Sequence, residues 1–262
     1  MVTRTTPFGR LTFDREAIIH TALRGLVEDL VFKLWDGLGM RSIYNGVWTG
    51  NLQRGTVANF DGSGSNEVIA WTELGVVGLG YELGWGPVEQ LGVAPETLTG
   101  GPDDVRGAVP GLPPELEPAF LMAVNGLYIG EFLHNEKFYD ERMAGVGFWL
   151  LGDRFGDSFF MGRILANGAD RLAAWGSLRG NRLPRVWCGQ VEHWPPDPPL
   201  MVPIQAIIDA VTNRAMKGPT EFTVEELATL FPTPPDPEKL LDAQRSLQRF
   251  GITWPGSPSI PE

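Results

Sequence analysis

One cysteine, Cys188, and three histidines, His20, His134 and His193, are all the thiol and imidazole that 262 residues hold. A lone cysteine excludes an internal disulfide framework and any cysteine-rich zinc site. Three histidines leave little material for a histidine-built metal centre. Long apolar runs are missing too. The best, Val146–Leu151, contains a glycine and falls far short of the ~20 residues that cross a bilayer. Met1-Val-Thr-Arg-Thr-Thr-Pro7 has no apolar core of the secretory kind, so the cytoplasm is the expected compartment. No Gly-Lys-Ser/Thr phosphate loop, complete Gly-x-Gly-x-x-Gly or Gly-x-Ser-x-Gly elbow occurs. No cofactor is therefore expected.

What is present describes an ordinary globular protein, 43% apolar and 20% charged. The length exceeds a usual domain of about 100–150 residues and suffices for a full core. The net charge of −11 is unevenly spread. Residues 61–141 carry 14 acidic and 2 basic side chains, a net of −12. Residues 1–60, 142–185 and 186–262 carry +2, +4 and −5. An acidic block repels phosphate backbones and anionic membranes, and it attracts basic proteins. It also suits a merely solvated surface.

Periodicity predicts a helix over residues 15–34. Ile18, Ile19, Ala22, Leu23, Leu26, Val27, Leu30, Val31 and Leu34 form one wide apolar stripe that covers a sheet face. Asp14 reads as its N-cap, Phe13 with Ile18 as a staple, and Gly37-Leu-Gly39 as its end. The period then shifts to two. Asn45-Gly46 signals a hairpin turn, and 56–83 reads as an antiparallel meander. Val68, Ala70 and Thr72 fall on one face of it, and Ile69 and Trp71 on the other. A Gly- and Pro-rich loop over 84–113 follows, then a short helix over 115–124. Residues 146–151 and 158–164 read as a second hairpin across 152–157. A helical turn at 169–175 and a strand at 185–191 complete this part.

Trp194-Pro-Pro-Asp-Pro-Pro199 is the clearest punctuation, and 13 of 22 prolines lie at or after 195. The chain divides at it into an α+β domain (1–194), a Pro-rich linker (195–199) and a three-helix subdomain (200–262). The first of these helices starts at Pro203. The second carries a capping box, Thr223 with Glu226, and a staple, Phe222 with Leu227. Asp236-Pro237 opens the third, and Gly251 closes it. The expected fold class is α+β: an antiparallel sheet packed by a long N-terminal helix, with a small C-terminal helical appendage.

Each catalytic template fails in part. Phe155-Gly-Asp-Ser-Phe159 resembles a Gly-Asp-Ser-Leu esterase box, but it lies mid-chain, and Gln190 stands where the Asp before His193 should be. Ser158 needs a histidine base to become a nucleophile. Glu131-Phe-Leu-His134 has the Glu-x-x-His spacing of di-iron bundles, yet only one copy exists. Asp61-x-Ser63-x-Ser65-x-Glu67 starts like a calcium loop, with Asn66 where an EF-hand needs Gly and Thr72 where it needs Glu. Asp153, Asp157, Glu131 and His134 are the candidates for carboxylate acid–base chemistry, the enzyme alternative. Cys188 reads as a buried strand residue, and His20 as structural. Trp48, Trp85, Trp194 and Trp254 fall in loops, where tryptophan serves either to cap a core or to anchor an interface. The terminal helices are too acidic for a DNA reader.

Two stretches carry a family resemblance. They are Phe60-Asp-Gly-Ser-Gly-Ser-Asn-Glu-Val-Ile-Ala-Trp-Thr-Glu-Leu-Gly-Val-Val-Gly-Leu-Gly-Tyr81 and Gly111-Leu-Pro-Pro-Glu-Leu-Glu-Pro-Ala-Phe120. With the acidic α+β make-up, they resemble uncharacterised bacterial cytosolic proteins of the immunity type. The resemblance spans about residues 10–165 and implies binding and blocking of a cognate toxin, with no catalysis. The leading expectation is thus a non-catalytic, acidic protein-binding module for a basic partner such as a bacterial toxin. Its expected contact residues are Asp61, Glu67, Glu73, Glu82, Trp85, Glu89, Asp103 and Asp104. A structural or assembly subunit, docking through the terminal helices, is the third class.

Overall fold

The computed structural model of the chain describes residues 2–6, 9–34, 47–60, 66–81, 84, 86–158 and 201–257. Strands β1 (Val2–Thr6) and β2 (Gly9–Phe13) pair as an antiparallel hairpin, which the sequence patterns did not signal. Helix α1 (Arg15–Leu34) follows over the predicted residues. Asp14 Oδ1 accepts the Ala17 N–H at 2.9 Å, satisfying one donor that a helix start leaves over. Arg15 ties the same end to the sheet, donating to the carbonyls of Thr72 (2.6 Å), Leu52 (3.0 Å) and Gln53 (2.7 Å).

The meander comprises β3 (Val47–Gly50), β4 (Gly55–Phe60), β5 (Asn66–Trp71) and β6 (Gly75–Tyr81). After a long excursion β9 (Val146–Leu151) pairs beside β6, and β10 (Arg154–Asp157) follows. The antiparallel order is β10-β9-β6-β5-β4-β3. Strand alternation divides the apolar residues as the sequence predicts. Ile69 and Trp71 join Ile18, Ile19 and Ala22 of α1, while Val68 and Ala70 pack on the opposite side. The second hairpin is tighter than expected. Gly152 takes φ +61° in a two-residue turn, and the return strand is 154–157, starting four residues before the expected one. Two glycines in this sheet make room for cross-strand aromatics. A Cβ on Gly78 would lie 2.1 Å from the Phe148 ring, and one on Gly156 2.3 Å from Trp149.

The excursion covers the other face of the sheet. It contains a wide turn, Pro87–Leu91, and helices α2 (Pro102–Val105) and α3 (Glu117–Gly126). Ala119, Phe120, Ala123 and Val124 of α3 pack on Ala58, Val68, Ala70, Val77 and Leu79. The excursion ends in an antiparallel hairpin, β7 (Ile129–His134) and β8 (Lys137–Arg142), which forms a separate two-stranded sheet.

The C-terminal part contains α4 (Met201–Ala215), β11 (Thr220–Glu221), α5 (Val224–Leu230), α6 (Pro237–Gln248) and β12 (Ile252–Thr253). Its local signals read true. Thr223 Oγ1 accepts the Glu226 N–H while Glu226 Oε2 accepts the Thr223 N–H, and Asp236 Oδ1 caps Glu238 and Lys239. Gly251 takes φ +71°. Helices α4 and α6 pack on α1, where Leu23, Leu26, Val27, Val31 and Leu34 share a cluster with Ile204, Ile208, Val211, Leu247 and Trp254. Helix α1 is thus covered on both sides, by the sheet and by the terminal helices. The fold is α+β. The Gly37-Leu-Gly39 helix end, the Asn45-Gly46 turn, residues 61–65 and 159–164, the helical turn at 169–175, the strand at 185–191 (with Cys188), His193, Trp194 and the linker 195–199 lie outside the described residues.

Candidate functional site

The β7–β8 hairpin turns at Asn135 (φ 48°) and Glu136 (φ 63°), the paired left-handed residues of a two-residue hairpin turn. Its register places Ile129 opposite Arg142, Glu131 opposite Asp140, and Leu133 opposite Phe138. Strand alternation puts these six on one face. Ile129, Leu133 and Phe138 are 44%, 59% and 66% exposed, and Glu131 and Asp140 are exposed as well. Facing carboxylates repel. Neither has an ion-pair partner among the described residues.

His134 on the other face and Arg142 at the end of this one hold the hairpin to the body. His134 Nε2 sits 3.0 Å from Glu96 Oε1. From the end of β8, Arg142 donates to Gly100 O at 2.7 Å and to Val124 O and Leu127 O at 3.2 and 3.3 Å. The latter two carbonyls lie at the end of α3, where a cation is favoured. Glu141 turns inward, 5% exposed, and its Oε1 has no hydrogen-bond partner. A Cβ on Gly86 would lie 2.4 Å from that oxygen and 3.0 Å from Glu89 Oε2, so the two carboxylates converge on one glycine. Burial first, then the Glu89 charge, pushes the Glu141 carboxyl up to about 7, against a Val88 N–H that favours its ionised form. The Tyr81 hydroxyl is raised by burial and by the same two carboxylates, although the Gly84 N–H it accepts pulls the other way.

The expected contact residues are not gathered on one surface. Glu73 is exposed in the β5–β6 turn, where its charge acts on Arg15. Glu89 and Asp103 are exposed beyond the opposite end of β6, seven residues of strand away. Glu67 and Asp104 are corrections: they are 2% and 5% exposed and are not surface contacts. Glu67 is carried inward by β5. Asp104 accepts the N–H groups of Thr99 (3.0 Å) and Gly101 (3.2 Å), which fixes the loop before α2. Asp61, Glu82 and Trp85 lie outside the described residues.

The residues of the enzyme alternative fall in two sheets. Asp153 lies in the turn before β10 and Asp157 ends that strand, and Glu131 and His134 lie on β7. The Glu-x-x-His spacing falls on a strand rather than a helix, which sends the two side chains to opposite faces. Ser158 is buried, and its Oγ accepts the Gly147 N–H at 3.2 Å. His20 Nε2 donates to Asn213 Oδ1 at 2.9 Å. Among the described residues no group of three His, Cys, Asp or Glu is placed to hold a metal ion, and no helix is long and apolar enough to cross a membrane. Trp48 and Trp254 pack in the core. Trp48 meets Trp71 and Phe250 edge-on at 5.0 and 4.7 Å.

Sequence reasoning missed the hairpin face because the turn, Asn135-Glu136, has no glycine. The available signal was the alternation of Ile129, Glu131 and Leu133. Compared with known proteins, the chain matches no family model, no curated protein and no solved structure significantly.

Proposed function

We propose that the protein is a non-catalytic binding module for a basic protein partner, with toxin inhibition of the immunity type as one form of that activity. The observation that carries the reading is a set of exposed carboxylates short of cations, since residues 61–141 hold only Arg106 and Lys137 against 14 acids. Arg106 is the one arginine of residues 61–141. It is already committed, donating to both Glu117 oxygens at 2.8 and 2.7 Å. That pairing lowers the Glu117 pKa, chiefly through the Arg106 hydrogen bonds. Glu89, Glu131 and Asp140 stay exposed with no cationic partner among the described residues. Unpaired like charges repel one another, and a basic surface relieves that repulsion while speeding its own approach.

Capture of the tagged protein from its native cells, at low and at high salt, tests this. The expected result is a near-stoichiometric basic protein that is retained at low salt and released at high salt, where exposed charges are screened. A protein recovered without partner at both salts overturns the reading.

A further inference from the structure

We infer that the outer face of the β7–β8 hairpin is the docking surface, and that it takes an extended segment of the partner bearing an Arg or Lys two residues from an apolar side chain. This rests on the basic-partner reading above and says where and how such a partner binds. The face consists of three cross-strand rows: Ile129 with Arg142, Glu131 with Asp140, and Leu133 with Phe138. Arg142 is spent inward on backbone carbonyls. What remains outward is a carboxylate pair beside a large apolar pair. Successive same-face rows lie about 6.5–7 Å apart. An extended segment laid along the strands presents side chains at the same interval. Its cation would fall between Glu131 and Asp140 while its apolar neighbour covers Leu133 and Phe138.

Two observations point to a cation-bearing occupant. The acidic pair is set directly opposite itself, and neither member has an ion-pair partner among the described residues, since Arg142 in the next row is held by backbone carbonyls; facing like charges cost stability in the free protein. Three outward apolar side chains, 44–66% exposed, surround it on a sheet whose other face is already used. A second copy seated in register on the central row would bring acidic pair against acidic pair, and an anionic bilayer would meet the same repulsion.

The test uses two fluorescent peptides, two repeats each of Arg-Thr-Phe-Thr and of Glu-Thr-Phe-Thr, titrated into the full chain at low salt. Affinity comes from anisotropy, and location from amide NMR shifts. The variants are E131Q/D140Q and L133S/F138S, both at exposed positions, with thermal unfolding as the check on folding. The expected result is binding of the Arg peptide alone, with shifts concentrated at residues 129–142. Each double variant should weaken it about tenfold or more, as loss of an interface centre does. Unchanged affinity in both folded variants, or shifts elsewhere, overturns the inference and leaves the basic-partner reading intact. Equal binding of the Glu peptide, or none of either, also overturns it, and the capture experiment decides the wider reading by itself. A dimer in sedimentation that L133S/F138S dissolves would give the face to a second copy, and binding of anionic vesicles would give it to lipid. Either outcome rejects the inference.

Discussion

Glu141 holds its proton because its surroundings penalise the charge. It is buried, it shares the Gly86 corner with Glu89, and Asp104 adds a smaller repulsion. In the unfolded chain the same carboxyl titrates near 4.5, and in the folded protein near 7. Below the lower value both states are protonated, and the group has no effect on stability. Between the two, the unfolded state loses the proton that the folded state keeps, so stability falls as pH rises. Above the upper value the folded protein carries the full cost of a buried charge. Glu141→Gln keeps the shape and an acceptor for the Val88 N–H while removing the charge. E141Q is therefore expected to melt on the order of a few °C above the wild type at about pH 8 and to coincide with it at about pH 3.5. Calorimetry at both pH values checks this, and a difference independent of pH would reject it. This residue was not legible in the sequence, where Asp140-Glu141 is one more acidic dipeptide. Only the pairing of β8 sends one member out and the other in.

Helix α1 shows what element-scale reading gains and loses. Its bounds, its Asp14 cap and its apolar stripe follow from spacing alone. Its second partner does not. Thr21, Arg24, Glu28 and Asp29 are all buried, yet such residues normally mark the solvent side of a helix. Thr21 donates to Ala17 O at 2.9 Å and Asp29 accepts from Lys33 within the helix, whereas Arg24 and Glu28 tolerate burial because their partners come from α4, far along the chain. Arg24 donates to Asp209 Oδ1 at 2.6 Å, to Glu28 Oε2 at 2.8 Å and to Gln205, whose amide closes the ring on Glu28 Oε1 at 2.7 Å. Removing one member of such a set leaves a buried charge unpaired. Arg24→Met is expected to cost about 3–5 kcal/mol in urea unfolding. Replacing the buried set together, R24M/E28L/Q205L, should restore most of that loss, because apolar residues of similar volume avoid the desolvation cost. A loss below about 1 kcal/mol for R24M alone would mean that water reaches the site. The hairpin was hidden for a related reason. Glu131 and His134 invite a helical reading by their interval, and the pairing that makes them strand residues is visible only in three dimensions.

Over the whole molecule, the amount of charge was legible and its placement was not. The −12 block is divided by the sheet: Glu73 stands at one end, Glu89 and Asp103 beyond the other, and Glu67 and Asp104 point inward. The chain's cooperativity follows from the same geometry. Helix α1 contributes Ile18, Ile19 and Ala22 to the sheet's core and Leu23, Leu26, Val27, Val31 and Leu34 to the core of the terminal helices. Trp48 touches Trp71 on one side and Phe250 on the other. Burial of five aliphatic side chains contributes about 1.5–3 kcal/mol each, so uncovering that face of α1 costs up to roughly 7–15 kcal/mol. A whole domain is stable by only about 5–15 kcal/mol. Calorimetry of the full chain is therefore expected to show one transition, with matching calorimetric and van't Hoff enthalpies. A chain ending at residue 199 should show no cooperative transition. Two resolved transitions, or a truncated chain that melts cooperatively, would instead make residues 200–262 an independent unit, and α1 would then have to be stable with its second face in water.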